Sequence, residues 1–97
     1  MKEQIIDYLL SIGFIKKESN EDTFYKKVET EGREIIINGV RHVEKTTIDL
    51  EVKYSGGGWL KTGDEETPTT QWQIYINGDF VQELIILSLE DFKSYIK

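Results

Sequence analysis

Two Asn-Gly dipeptides, Asn38-Gly39 and Asn77-Gly78, each follow a run rich in isoleucine and precede another apolar stretch. Asn-Gly is the pair most favoured in two-residue hairpin loops. Both central positions of that turn take positive φ, which asparagine tolerates and glycine adopts freely. A chain that reverses at both places carries antiparallel strands on either side. Between the turns lies the clearest strand. Over residues 46–54, Ile48, Leu50, Val52 and Tyr54 share one face, and Thr47, Asp49, Glu51 and Lys53 share the other. Strict alternation puts one face on a core and the other in water.

The rest of the chain extends this pattern. Ile5, Leu9 and Ile12, with Ile6 and Leu10 beside them, fall at helical spacing and predict a helix over residues 2–12, ending at Gly13. Phe14 and Ile15 are expected beneath it, and residues 16–22 read as a polar turn. Residues 23–29 alternate, with Phe24, Lys26 and Val28 on one side and Tyr25, Lys27 and Glu29 on the other. Glu31-Gly32 is expected to turn, Glu34 to Ile37 to form a strand, and Val40 to Val43 its short partner. Trp72, Ile74 and Ile76 mark another strand over 70–76, followed by Phe80 to Leu87. Ser88 then stands as an N-cap before Glu90 and Asp91, opening a helix whose apolar stripe is Leu89, Phe92 and Ile96. Ile35-Ile36-Ile37-Asn38-Gly39 echoes Ile74-Tyr75-Ile76-Asn77-Gly78, and shared hairpin chemistry accounts for the likeness.

The expected architecture is a single α+β domain over residues 1–97. It is a two-layer sandwich, an antiparallel β-sheet with an N-terminal helix and a short C-terminal helix on one face. The other face stays open. With 97 residues and 38% hydrophobic content, the chain suffices for one core without metal or disulfide support.

Charge and composition narrow the function. Eighteen acidic and 12 basic residues give a net charge of -6. That balance argues against direct nucleic-acid binding, which needs a basic surface to release counterions. No apolar run is long enough for a membrane span, no signal sequence opens the chain, and a cytoplasmic protein is expected. There is no cysteine, hence no thiolate nucleophile and no thiolate zinc ligand.

The most unusual stretch is Ser55 to Pro68. It holds Gly56, Gly57, Gly58 and Gly63, the one proline, Trp59 and the acidic run Asp64-Glu65-Glu66. It reads as a long loop, and long loops inside small domains often carry function. It fails as a phosphate loop, since Leu60 precedes Lys61-Thr62 and no helix follows. Its consecutive acids lack the spacing of a calcium loop. His42, the one histidine, has Glu44 two positions on, but no serine carries a nucleophile signature. No catalytic set, metal site or cofactor is therefore expected. Tyr54 and Trp72 fall on apolar faces and are expected in the core, whereas Tyr75 points opposite to Ile74 and Ile76.

These features suggest a small acidic, non-enzymatic binding protein that acts through protein–protein contacts. The residues expected to meet a partner are Asp49 and Glu51 on the open sheet face, Trp59, Asp64, Glu65 and Glu66 in the 55–68 stretch, and Tyr75. In size, acidity and α+β sketch the chain is similar in general character to small inhibitor proteins of phages and mobile elements, including anti-CRISPR proteins. Those bind and block basic, nucleic-acid-handling machines. The likeness rests on the overall sketch and on no motif, so it transfers no site residues. The alternative is a small-ligand or nucleotide-binding module, or a small enzyme, with a pocket between the sheet and the 55–68 stretch. That reading calls for a homo-oligomer to enclose enough volume.

Overall fold

The structure, a computed structural model, describes residues 1–18 and 22–96. Seven elements follow one another: α1 (Lys2–Ser11), β1 (Ile15–Lys16), β2 (Thr23–Ile37), β3 (Val40–Thr62), β4 (Glu65–Ile76), β5 (Asp79–Ile86) and α2 (Leu89–Tyr95). The strands form one antiparallel meander in the order β1-β2-β3-β4-β5. This is the α+β fold expected, with a helix at each end of the sheet sequence. Both Asn-Gly pairs take positive φ at both positions, 53° and 77° at Asn38 and Gly39, 51° and 85° at Asn77 and Gly78. Ser88 caps α2 by accepting a hydrogen bond at Oγ from the Asp91 amide, 3.1 Å away.

One apolar cluster joins the helices to the sheet. Ile5 and Leu9 of α1, Phe14, and Phe92 and Ile96 at the C-terminal end pack on Phe24, Val52, Trp72, Ile74, Leu84 and Ile86. Trp72 is its centre: it is fully buried, with Tyr54 edge-on at 5.2 Å and Phe92 tilted at 5.6 Å. Its Nε1 donates to Thr70 Oγ1 at 2.9 Å, which satisfies the one polar atom the indole brings inside. The chain ends meet where Tyr8 Oη donates to the Ile96 carbonyl at 2.7 Å.

Four local expectations are corrected. Val40 to Val43 is not a short separate strand but the start of β3, which runs unbroken to Thr62. Glu31-Gly32 does not turn. β2 runs 15 residues through it, with a bulge between Glu31 and Glu34 opposite β3. Glycine suits that bulge because a Cβ on Gly32 would stand 3.0 Å from the Glu44 carbonyl oxygen and from Thr46 Oγ1. Ser55 to Pro68 is not a loop either. It is a paired hairpin arm, with Trp59 opposite Pro68 and Thr62 opposite Glu65, and the reversal is confined to Gly63-Asp64. The glycine cluster lies inside β3, where Thr69 Oγ1 would stand 3.2 Å from a Cβ on Gly58. Pro68 is tolerated because β5 pairs only as far as Thr70, so that part of β4 is an edge. Ile15, finally, is 56% exposed. It pairs with Tyr25, which puts it on the face away from the helices.

β3 is the spine of the molecule. Its 23 residues carry the sheet centre and continue into a two-stranded arm at each end. The β2–β3 arm leaves the sheet where β4 ceases to pair, at Leu50–Ile76. The β3–β4 arm leaves at the opposite end. The arms explain a radius of gyration of 17.3 Å and extents of 65 × 34 × 23 Å. A compact chain of this length would have a radius of about 12–13 Å.

Candidate interaction surface

The β3–β4 arm presents Trp59. This residue is 69% exposed although its backbone is paired, more than any other aromatic, and Leu60 beside it is 45% exposed. Asp64 lies in the turn, and Glu65 and Glu66 follow it, all exposed. Lys61 stands across from Glu66, so the tip mixes one cation into the acidic group. A bulge between Tyr54 and Gly56 sets the faces of the arm. Beyond it, Gly57 pairs with Thr70 and Trp59 with Pro68, which places the indole on the side that bears the helices.

The open face of the sheet is ordered by cross-strand register. Ile15, Tyr25, Glu51, Tyr75 and Phe80 are successive partners across all five strands. Tyr75 is half-buried, meets Phe80 edge-on at 5.7 Å and donates from its hydroxyl to Gln73 Oε1 at 2.9 Å. Glu51, half-buried in the middle of the row, is ion-paired with Lys17. Asp49 is exposed and has Lys27 as its cross-strand neighbour. Its backbone exchanges two hydrogen bonds with Asn77, at 2.9 Å and 2.8 Å. The open face thus carries both signs of charge, and aromatic residues flank the central Glu51.

The seven residues expected at the site therefore fall into two groups. Trp59, Asp64, Glu65 and Glu66 share the β3–β4 arm. Glu51 and Tyr75 are direct partners on the open face, with Asp49 two residues along β3. Glu51 and Trp59 are eight residues apart on one strand, roughly 25 Å, and they face opposite sides.

Other places offer little chemistry. An open cleft between the helices is lined by Gln4, Asp7, Tyr8, Ser11, Leu89 and Lys93. His42 is exposed in the β2–β3 arm, across from Ile35. Among the described residues, no group of three histidine or carboxylate side chains is placed to hold a metal ion. No helix among them is long and apolar enough to cross a membrane. The perturbed titrations belong to a structural pair at the start of the sheet: a hydrogen bond from Lys2 holds the Asp22 carboxyl below its ordinary range, and the same contact raises Lys2. Comparison with family models, characterised proteins and solved structures finds no match to this chain.

Sequence reasoning missed three contributors. Lys17 compensates Glu51, Phe80 backs Tyr75, and the β2–β3 arm exposes Ile36, Ile37, Val40 and Val43. Residues 40–54 contain no turn-forming dipeptide to end a strand, but Gly32 in the partner strand reads as a turn and hides the arm.

Proposed function

We propose that this chain is a non-enzymatic binding protein that docks on a basic protein surface through the β3–β4 arm. The observation that carries the reading is Trp59, 69% exposed on a protruding hairpin whose tip holds Asp64, Glu65 and Glu66. A large aromatic gains most from burial in a partner's pocket, and truncating such an anchor typically costs about 2 kcal/mol or more of binding. The acids around it steer approach toward positive charge. A protein that handles nucleic acid presents such a surface, and occupying it would block its use. Neither step needs a catalytic group.

The test is affinity capture from cell lysate at low and high salt, followed by rate measurements on the captured partner. Trp59→Ala should speed dissociation by at least about 30-fold. Charge reversal of Asp64, Glu65 and Glu66 should slow association, and added salt should remove that difference. A partner whose binding ignores both changes binds elsewhere, and the assignment of the arm then fails.

A further inference from the structure

We infer that Asn38 is a site of spontaneous modification, converting to aspartate and isoaspartate through its own backbone far faster than Asn77 does in the same dipeptide. The chemistry belongs to Asn-Gly. The Gly39 amide nitrogen gives up its proton and bonds to Asn38 Cγ, the Cγ–Nδ2 bond breaks, and the side-chain nitrogen leaves with that proton as ammonia. The product is a cyclic imide. Water then opens it at the Cγ–N bond, which leaves an aspartate, or at the bond to the backbone carbonyl carbon, which leaves an isoaspartate whose chain runs through Cγ. Glycine permits the attack because it has no side chain to crowd its nitrogen. Of the asparagines in this chain, Asn38 and Asn77 precede glycine.

The two turns share one backbone geometry, and both asparagines are exposed. Their surroundings differ. Asn77 is fastened to a third strand: its Oδ1 accepts from the Asp49 amide at 2.9 Å, and its own amide donates to the Asp49 carbonyl at 2.8 Å. The first bond restrains the carbon that would be attacked, and the second restrains the backbone at the turn. Asn38 closes the β2–β3 arm, which among the described residues has no third strand past the Leu50–Ile76 pair. Val40, at the turn, lies roughly 33 Å along β3 from Leu50. A two-stranded ribbon is at best marginally stable alone in water, so its tip opens locally while the core holds. Ring closure needs the side chain to swing back over the next residue's nitrogen, and the opened turn allows that.

The consequence is confined to the arm. Either product adds a negative charge to a chain that already carries -6. Isoaspartate also lengthens the backbone by a carbon inside a two-residue loop that fits positive φ at both positions, so the Ile37–Val40 closure loses its register. The core cluster draws on no residue of the tip and keeps its contacts.

Peptide mapping by mass spectrometry, on the whole chain aged in mildly alkaline buffer, tests this. Trypsin separates the two sites into Glu34–Arg41 and Thr62–Lys93. Deamidation of Asn38 should run at least about tenfold ahead of Asn77, the effect of two extra hydrogen bonds on the opening of a turn. In concentrated urea the two rates should converge, since both asparagines then precede glycine in an open chain. Gly32→Val, which crowds the bulge of the same arm, should speed Asn38 and leave Asn77 unchanged. Equal rates in the folded protein, or no reaction at either site, overturn the inference. So does a ratio that urea leaves untouched, or a faster Asn77, where the Asp49 amide would activate the side-chain carbonyl rather than restrain it. Trp59→Ala should alter neither rate, which keeps this result separate from the role of the other arm.

Discussion

Lys26 reaches from β2 under the end of α1 and donates from Nζ to the Ile12 carbonyl oxygen at 2.6 Å, with the Phe14 ring 5.9 Å from the same nitrogen. The last carbonyls of a helix lack intrahelical partners. A cation there satisfies one of them and meets the negative end of the helix dipole. The lysine stem covers apolar surface on the way. Lys26→Met keeps the stem and removes the charge. It should cost about 1.5–3 kcal/mol, in line with hydrogen bonds to charged groups, measured as a lower urea midpoint at unchanged slope.

Trp72→Ala should be the most damaging of the substitutions considered. It removes the fully buried indole, its contacts with Tyr54 and Phe92, and the donor that Thr70 accepts. Large aromatic truncations of this kind cost about 3–5 kcal/mol. Trp59→Ala should change stability by less than about 0.5 kcal/mol, as exposed positions do. Thermal unfolding of the two variants side by side separates the tryptophan that holds the fold from the one that stands exposed.

Much of the fold is legible in local chemistry. The Asn-Gly turns need positive φ, the Ser88 cap needs an oxygen beside free amides, and residues 46–54 alternate without a fault. The arms were not legible, because glycine marks turns, bulges and close approaches alike. Gly32 reads as a turn and is a bulge, and Gly56 to Gly58 read as a loop and lie within a strand. What decides each case is the partner strand, which the local sequence does not display. The site suffered the same way. Counting by twos from Glu51 puts Trp59 on the open face with Tyr75, but the bulge at Ser55 moves it to the other side.

Asp22 and Lys2 make a pH prediction. Their ion pair is 2.7 Å long, and Lys2 Nζ also stands 4.4 Å over the Tyr54 ring. The hydrogen bond from Lys2 lowers the Asp22 carboxyl below the ordinary 3.8, so the folded protein binds that proton less readily than the unfolded chain. The stabilisation is therefore complete above pH 3.8 and is lost as pH falls through the lower folded value. Asp22→Asn should be less stable than wild type at pH 7, and the gap should close on acidification below the carboxylate range. Denaturant unfolding at a series of pH values measures it, and a gap that persists in acid would assign the loss to packing.

Gly32→Val should loosen the β2–β3 arm and leave the core intact. Its new Cβ would press on the Glu44 carbonyl and Thr46 Oγ1, both 3.0 Å away. Amide hydrogen exchange should quicken across the arm, where opening is local, and stay unchanged around Val52 and Trp72.

Every strand pairs only with its neighbour in sequence, and the hairpins at Asn38-Gly39, Gly63-Asp64 and Asn77-Gly78 each close on two residues. Short closures cost little chain entropy, so each ladder can zip outward from its own turn without waiting for distant segments. The late step is different in kind. Tyr8 and Ile96 are separated by 88 residues and meet only once both helices dock over Trp72. Sequence separation thus divides the contacts of this chain into ladders that each start at a tight turn and one closure that joins its two ends, and that closure spans the longest loop in the molecule.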